Sequence, residues 1–172
     1  RIAERARFVG MQGSIRRGWN GSETVVAEYN VSCDPAAARA VFAAPWEVTI
    51  TPLDTCGIVR LRGEDYQRVL ACKDPLVEAL LENYRVWARC SEWSQGVNPE
   101  VESSVLFDTV AVYLAFSQEL LLIESLGVRV TDDGYTLLDD RARRIRCATK
   151  WLDLKAFERL LATRLTAGSA SR

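Results

Sequence analysis

Short β-branched runs and longer stretches with apolar residues at steps of three and four follow one another along the chain, which predicts strands alternating with helices. Phe8 to Met11 is an apolar run that reads as a buried strand, ended by a turn at Gln12-Gly13. Ser14 to Asn30 is rich in Gly, Asn and Ser and reads as one long ordered loop. Asp34-Pro35 opens a helix, with Asp as N-cap and Pro at the first helical position, and that helix ends before Pro45. Glu47 to Thr51 predicts a strand, and Gly63 to Ala71 a short helix. Asp74-Pro75 repeats the opening device for a helix to Cys90, whose apolar stripe is Leu76, Leu80, Leu81, Tyr84, Trp87 and Ala88. Val128 to Thr131 and Tyr135 to Leu138 flank Asp133-Gly134 and predict a hairpin. Arg144 to Thr149 is a further strand and Leu154 to Leu165 a last amphipathic helix. From Thr166 to Arg172 the chain reads as a frayed tail.

One stretch departs from this rhythm. Ser103 to Phe116 is apolar nearly all round, and from Val105 to Phe116 its only charge is Asp108. Ser103 and Ser104 suit a helix start, and a helix apolar on every face belongs in a protein interior. An unpaired carboxylate there would cost several kcal/mol, so Asp108 either caps or pairs locally, or lies beside a cation.

Composition narrows the chemistry. The chain has 172 residues, 48% of them hydrophobic, enough for one domain with a sizeable core. Lys plus Arg number 22 against 23 Asp plus Glu, and no long basic patch suggests nucleic-acid binding. Arg141, Arg143, Arg144 and Arg146 are the densest basic cluster and read as a solvated strand or turn face. There is no histidine, which removes Ser-His-Asp and Cys-His catalysis and any His metal site from this chain. Five cysteines without C-x-x-C spacing, and no signal peptide, favour reduced, mostly buried thiols in a cytoplasmic setting. No apolar run reaches the length of a membrane span. The chain opens on Arg1, and it reads as part of a longer protein.

Four polar features remain as candidate chemistry. Asp54 in T-P-L-D-T reads as a helix or turn cap. Glu28 and Asn30 in A-E-Y-N are open between loop hydrogen bonding and a ligand role. Asp108 lies late for a cap after Ser103 and Ser104, and a hard-cation site is its alternative. T-D-D-G at 131–134 has the look of a calcium loop, but its alternating flanks favour a turn.

G-M-Q-G-S (10–14), A-E-Y-N-V with D-P-A-A-A after it (27–38), T-P-L-D-T (51–55) and V-L-F-D-T-V-A-V (105–112) resemble the C-terminal half of the inosine-uridine preferring nucleoside hydrolases in order and spacing. The likeness runs from about Phe8 to Leu165, and A-E-Y-N-x-x-x-D-P-x-A-A is its most specific part. The resemblance implies an α/β fold: part of a Rossmann-like, mostly parallel sheet with flanking helices and a small antiparallel ribbon, residues 1–172 forming one partial domain. It implies hydrolysis of the N-glycosidic bond of ribonucleosides with bound Ca²⁺. Asp108 is then similar to a calcium ligand, Glu28 and Asn30 to residues that bond the ribose hydroxyls, and Met11 to a methionine lying against the sugar.

The chain departs from the family in three places. The aspartate motif D-T-D-x-G-x-D-D, which carries the general base, is not in it and is expected upstream of Arg1. Phe107 stands where many members have histidine, and Ser22 where many have asparagine, with Asn20 nearby. The 172 residues alone are therefore expected to be inactive and to bind Ca²⁺ poorly. The alternative is a non-catalytic ribose-binding or scaffold relative. Exposed helices such as Pro75 to Cys90 are candidates for an interface between copies.

Overall fold

The computed structural model describes residues 2–94 and 96–168. They divide into two compact units, one built from the chain up to Ile58 with Leu106–Leu152, the other from Val59–Val105 with the segment from Asp153.

The first unit carries a five-stranded sheet. Its strands are β1 (Arg7–Met11), β2 (Glu47–Thr51), β3 (Leu121–Val130), β4 (Thr136–Leu138) and β5 (Arg144–Trp151), in the order β1-β2-β5-β3-β4. β1, β2 and β5 run parallel, with Met11 opposite Thr51 and Ile50 opposite Cys147. β3 is antiparallel to β5 and to β4, so the expected antiparallel ribbon, β3 with β4, continues the sheet as two of its five strands. Val48 to Thr51 on β2 are all buried, as a strand covered on both faces must be. One face packs Val48 and Ile50 with Ile15, Val31, Phe42, Val128, Val130, Ile145 and Cys147. A side chain of this kind stabilises by about 1.5–3 kcal/mol when fully buried.

Helices α1 (Tyr29–Cys33), α2 (Pro35–Ala43), α3 (Leu53–Cys56) and α6 (Phe107–Leu114) complete this unit. Asp34 caps α2 by accepting from the Ala37 N–H at 2.8 Å, as the Asp-Pro sequence predicts. Arg143 donates to the carbonyls of Phe42, Ala44 and Trp46 and so satisfies the far end of that helix. Arg144 reaches the Ser125 carbonyl and Arg146 reaches Gln118. Within the arginine cluster, then, these three tie backbone and side chains together, and Arg141 best fits a solvated face.

The second unit holds α4 (Gly63–Leu70), α5 (Pro75–Cys90) and α7 (Leu154–Thr166) around Leu61, Tyr66, Val69, Val77, Leu81, Phe157 and Ala162. Asp74 and Asp153 cap α5 and α7 through the N–H groups of Leu76 and Ala156. The buried line of α5 is Val77 and Leu81, while Leu76 and Leu80 are 78% and 48% exposed. The predicted stripe holds at Leu81, Tyr84, Trp87 and Ala88 and fails at Leu76 and Leu80, with Val77 buried in their stead. Residues 76, 77, 80 and 81 are all apolar, so spacing alone admits either line. Tyr84 and Trp87 stack at 6.0 Å and are half-buried, and the Tyr84 hydroxyl donates to the Glu102 carbonyl at 3.0 Å. α7 runs through Thr166, where fraying was expected to begin, and residues 169–172 lie outside the described residues.

Two further expectations are corrected. β3 begins at Leu121, not Val128: Leu121 to Gly127 pair with β5, a strand that L-L-I-E-S-L-G hides because it has no clean alternation and carries Glu124 at a half-buried position. α6 begins at Phe107, not Ser103. The Ser103 hydroxyl accepts from Leu61 N–H and donates to the Ser104 carbonyl, so it is engaged in the second unit. The outer face of α6 is open to solvent: Val112 is 65% exposed and Asp108 is exposed too. The expected cost of burying a lone carboxylate therefore never arises.

Candidate functional site

The chain leaves β1 through Gly13, with φ of +86°, a conformation open to glycine, and a β-carbon there would lie 2.7 Å from the Thr136 hydroxyl oxygen. The next backbone groups are all taken up. Ser14 donates its N–H to Thr136 Oγ1 at 2.9 Å, and the same hydroxyl donates back to the Ser14 carbonyl at 3.0 Å. The Gly13 carbonyl accepts from Leu53 N–H at 2.8 Å. The Gly13 N–H donates to Glu28 Oε2 at 3.1 Å.

Glu28 is 4% exposed and is the N-cap of α1. Its Oε1 accepts from Asn30 N–H at 2.7 Å, and its Oε2 also accepts from Val31 N–H at 3.2 Å. The Asn30 amide donates from Nδ2 to the Met11 carbonyl at 3.0 Å and lies 3.2 Å from the Met11 sulfur. These contacts close a ring of Met11, Gly13, Glu28 and Asn30 at the end of β1. Donation from Nδ2 fixes the amide orientation and leaves Asn30 Oδ1 as a free acceptor on an exposed residue. Three of the four predicted site residues are thus brought together. Met11 itself is buried, 6% exposed.

Asp54, expected to be a cap, forms no cap on its own helix. Its Oδ2 accepts from Ile15 N–H at 2.9 Å and its Oδ1 from Arg16 N–H at 2.8 Å. The Arg16 guanidinium in turn pairs with Glu124 through both terminal nitrogens, at 2.5 and 3.1 Å, and Thr149 donates to the same carboxylate. Hydrogen bonds from Arg16 and Thr149 pull the Glu124 carboxyl down to about 2, from an ordinary value near 4.5. A depressed carboxylate stabilises the fold above the unfolded value, and that contribution disappears as pH falls from about 4.5 to about 2. Acid unfolding monitored by circular dichroism should show less pH dependence across that window in Glu124→Gln than in the wild type.

Asp108 sits in the first turn of α6, where the helix dipole favours a negative charge. Among the described residues no hydrogen bond or ion pair engages its carboxylate. Burial holds the Cys56 thiol far above its ordinary range, and Glu28 and Asp108 push it further. The two carboxylates thus act on one buried sulfur. Beside Asp108, Phe107 is half-buried, and its ring lies 5.5 Å from that of Trp19 at a tilt of 53°. Trp19, 45% exposed, belongs to a turn at Trp19–Gly21 inside the stretch read as continuous loop, with Asn20 at φ 52°. No local signal in the sequence joins Trp19 to Phe107, or Asp54 to Ile15.

Among the described residues, no group of three or more acidic, His or Cys side chains could hold a metal ion. Asp108, exposed and unengaged, fits as one oxygen ligand. A cation such as Ca²⁺ takes about six to eight, so these residues do not form a complete site. No described helix is long and apolar enough to cross a membrane.

The chain matches the family model described as inosine-uridine preferring nucleoside hydrolase over residues 1–159. It is 32% identical over 76 residues to the pyrimidine-specific ribonucleoside hydrolase RihA of Shewanella sp. (strain MR-7), a stretch that is 42% of this chain and 24% of that protein. It is 24% identical over 135 residues to uridine nucleosidase 1 of Arabidopsis thaliana, covering 77% of this chain and 39% of that protein. The solved purine-preferring ribonucleoside hydrolase from Gardnerella vaginalis shares the fold with a TM-score of 0.72 and 21% identity, over 92% of this chain and 51% of that one. The chain therefore spans about half the length of this solved structure, and its matches cover less of the two curated relatives.

Proposed function

The chain belongs to the inosine-uridine preferring nucleoside hydrolase family, and from that premise we propose that the protein hydrolyses the N-glycosidic bond of ribonucleosides. The observation that carries the reading is the ring of Met11, Gly13, Glu28 and Asn30, which gathers three expected sugar-facing residues at the end of one strand. Asn30 Oδ1 accepts a ribose hydroxyl, held in place by the bond from Nδ2 to the Met11 carbonyl. The Met11 edge limits the depth to which the sugar settles. Glu28 keeps both groups in register, and its negative charge favours the positive character that the sugar develops as the bond to the base breaks. Asp108 would supply one oxygen to a bound Ca²⁺, and the remaining oxygens would come from outside the described residues. When bound, the ion would hold ribose hydroxyls and lower the pKa of a water.

The full-length protein should release free base from uridine or inosine, lose that activity with chelator and regain it with Ca²⁺. The 172 residues alone should bind Ca²⁺ no better than millimolar by calorimetry, since one carboxylate is far short of a full set. A second reading, a ribose-binding relative without catalysis, is favoured by the place of Phe107. Its ring packs on Trp19 and offers no proton to a departing base. Release of base from neither nucleoside, with either one bound, would establish that second reading.

A further inference from the structure

The first unit buries two carboxylates, Glu28 and Asp54, and the proposed sugar chemistry leaves Asp54 idle. Its environment is unusual for a residue in the first turn of a helix. It makes no cap for α3, whose N-cap Pro52 has no side-chain bond, and it reaches instead to a segment 39 residues earlier in the chain. Each of its oxygens accepts one backbone N–H, from Ile15 and Arg16, while the Leu53 N–H of the same helix holds the Gly13 carbonyl. Gly13 to Arg16 is therefore fastened to α3 at three points. The Gly13 N–H is also the donor that closes the ring onto Glu28. The fastening and the ring share one residue.

We propose that Asp54 is a positioning residue for nucleoside binding: by fixing Gly13 to Arg16 it sets the place of Glu28, and through Glu28 the place of Asn30. The proposal rests on the reading that Met11, Glu28 and Asn30 meet the sugar. Without the two acceptors, the Ile15 and Arg16 N–H groups turn toward water and draw Gly13 off Glu28 Oε2. Glu28 then keeps its bonds to Asn30 and Val31 but loses the one to Gly13, so that of these ties only the Asn30 bond to the Met11 carbonyl still joins α1 to β1. Asn30 stays helical and shifts as a body relative to the Met11 carbonyl. A displacement of about 1 Å in a group that orients substrate costs up to about 100-fold.

Asp54→Asn is the discriminating variant. It keeps the shape but sets an NH₂ against one of two N–H donors, since the donors use different oxygens. In the full-length protein, KM for uridine or inosine should rise about 10- to 100-fold with kcat within about threefold, because ground-state and transition-state contacts to the sugar weaken together. Amide hydrogen exchange should quicken at Asn30 and Val31 as well as at Ile15 and Arg16. An unchanged KM with a lowered Tm, or faster exchange confined to Ile15 and Arg16, would overturn the proposal and leave Asp54 a purely structural group. If the wild type hydrolyses neither nucleoside, the function proposed above falls, and the exchange pattern still decides whether Asp54 controls the placement of Asn30.

Discussion

Asp108→Asn should lower nucleoside hydrolysis by at least about 100-fold and weaken Ca²⁺ binding by a similar factor, while leaving stability within about 0.5 kcal/mol of the wild type. The separation of the two effects follows from position. Asp108 is exposed, and among the described residues nothing engages its carboxylate, so the fold loses little when the charge goes. Steady-state kinetics on the full-length protein, a calorimetric Ca²⁺ titration and a urea melt read the three quantities. Activity at the wild-type level in this variant would remove Asp108 from the site. A large fall in stability would mean that its role is within the fold after all.

Glu28→Ala should do the opposite on stability, costing about 3 kcal/mol. Three N–H groups, of Gly13, Asn30 and Val31, lose their acceptor at once in a place with almost no solvent. For a chain of this size the melting temperature should fall by about 6–12 °C. On the proposed function hydrolysis should drop by about 1000-fold, since the variant would lose both a negative charge at the sugar and the alignment of Asn30. Glu28→Gln tells the two apart. One amide oxygen still accepts, so the stability loss should be smaller, yet the charge is gone and activity should stay low. If Gln restored activity fully, Glu28 would act as a cap alone.

The caps were the most legible part of the fold. Asp34-Pro35 and Asp74-Pro75 announce helix starts because the chemistry is local, a side chain bonding a backbone group two or three residues on. The A-E-Y-N segment likewise pointed to Glu28 and Asn30, although residue types could not tell a cap from a ligand, and Glu28 has the geometry of a cap. Alternation shows β3 only from Val128, because pairing with β5 is what makes Leu121 to Gly127 a strand. Ser103 looked like a cap and instead accepts from Leu61 N–H, a partner 42 residues away. Residue type marks Asp54 as a candidate cap, but its bonds to Ile15 and Arg16 span nearly forty residues and leave no trace in local spacing. Apolar composition put Asp108 in the interior. α6 lies with one side in solvent, which an unpaired charge tolerates well.

The fastening of Gly13 to Arg16 has a bearing on how this protein can change. Because the excursion from Arg17 to Ala27 is closed at its base by Ser14, whose hydroxyl accepts from the Val26 N–H and donates to the Arg17 carbonyl, its two ends meet whatever lies between them. Each doubling in length of a flexible excursion costs only about 0.6 kcal/mol. Residues can be added, removed or exchanged around Trp19 to Thr24 without disturbing Asn30 or Met11. The excursion is a cassette, free to vary in length and sequence while Met11, Glu28 and Asn30 keep their places.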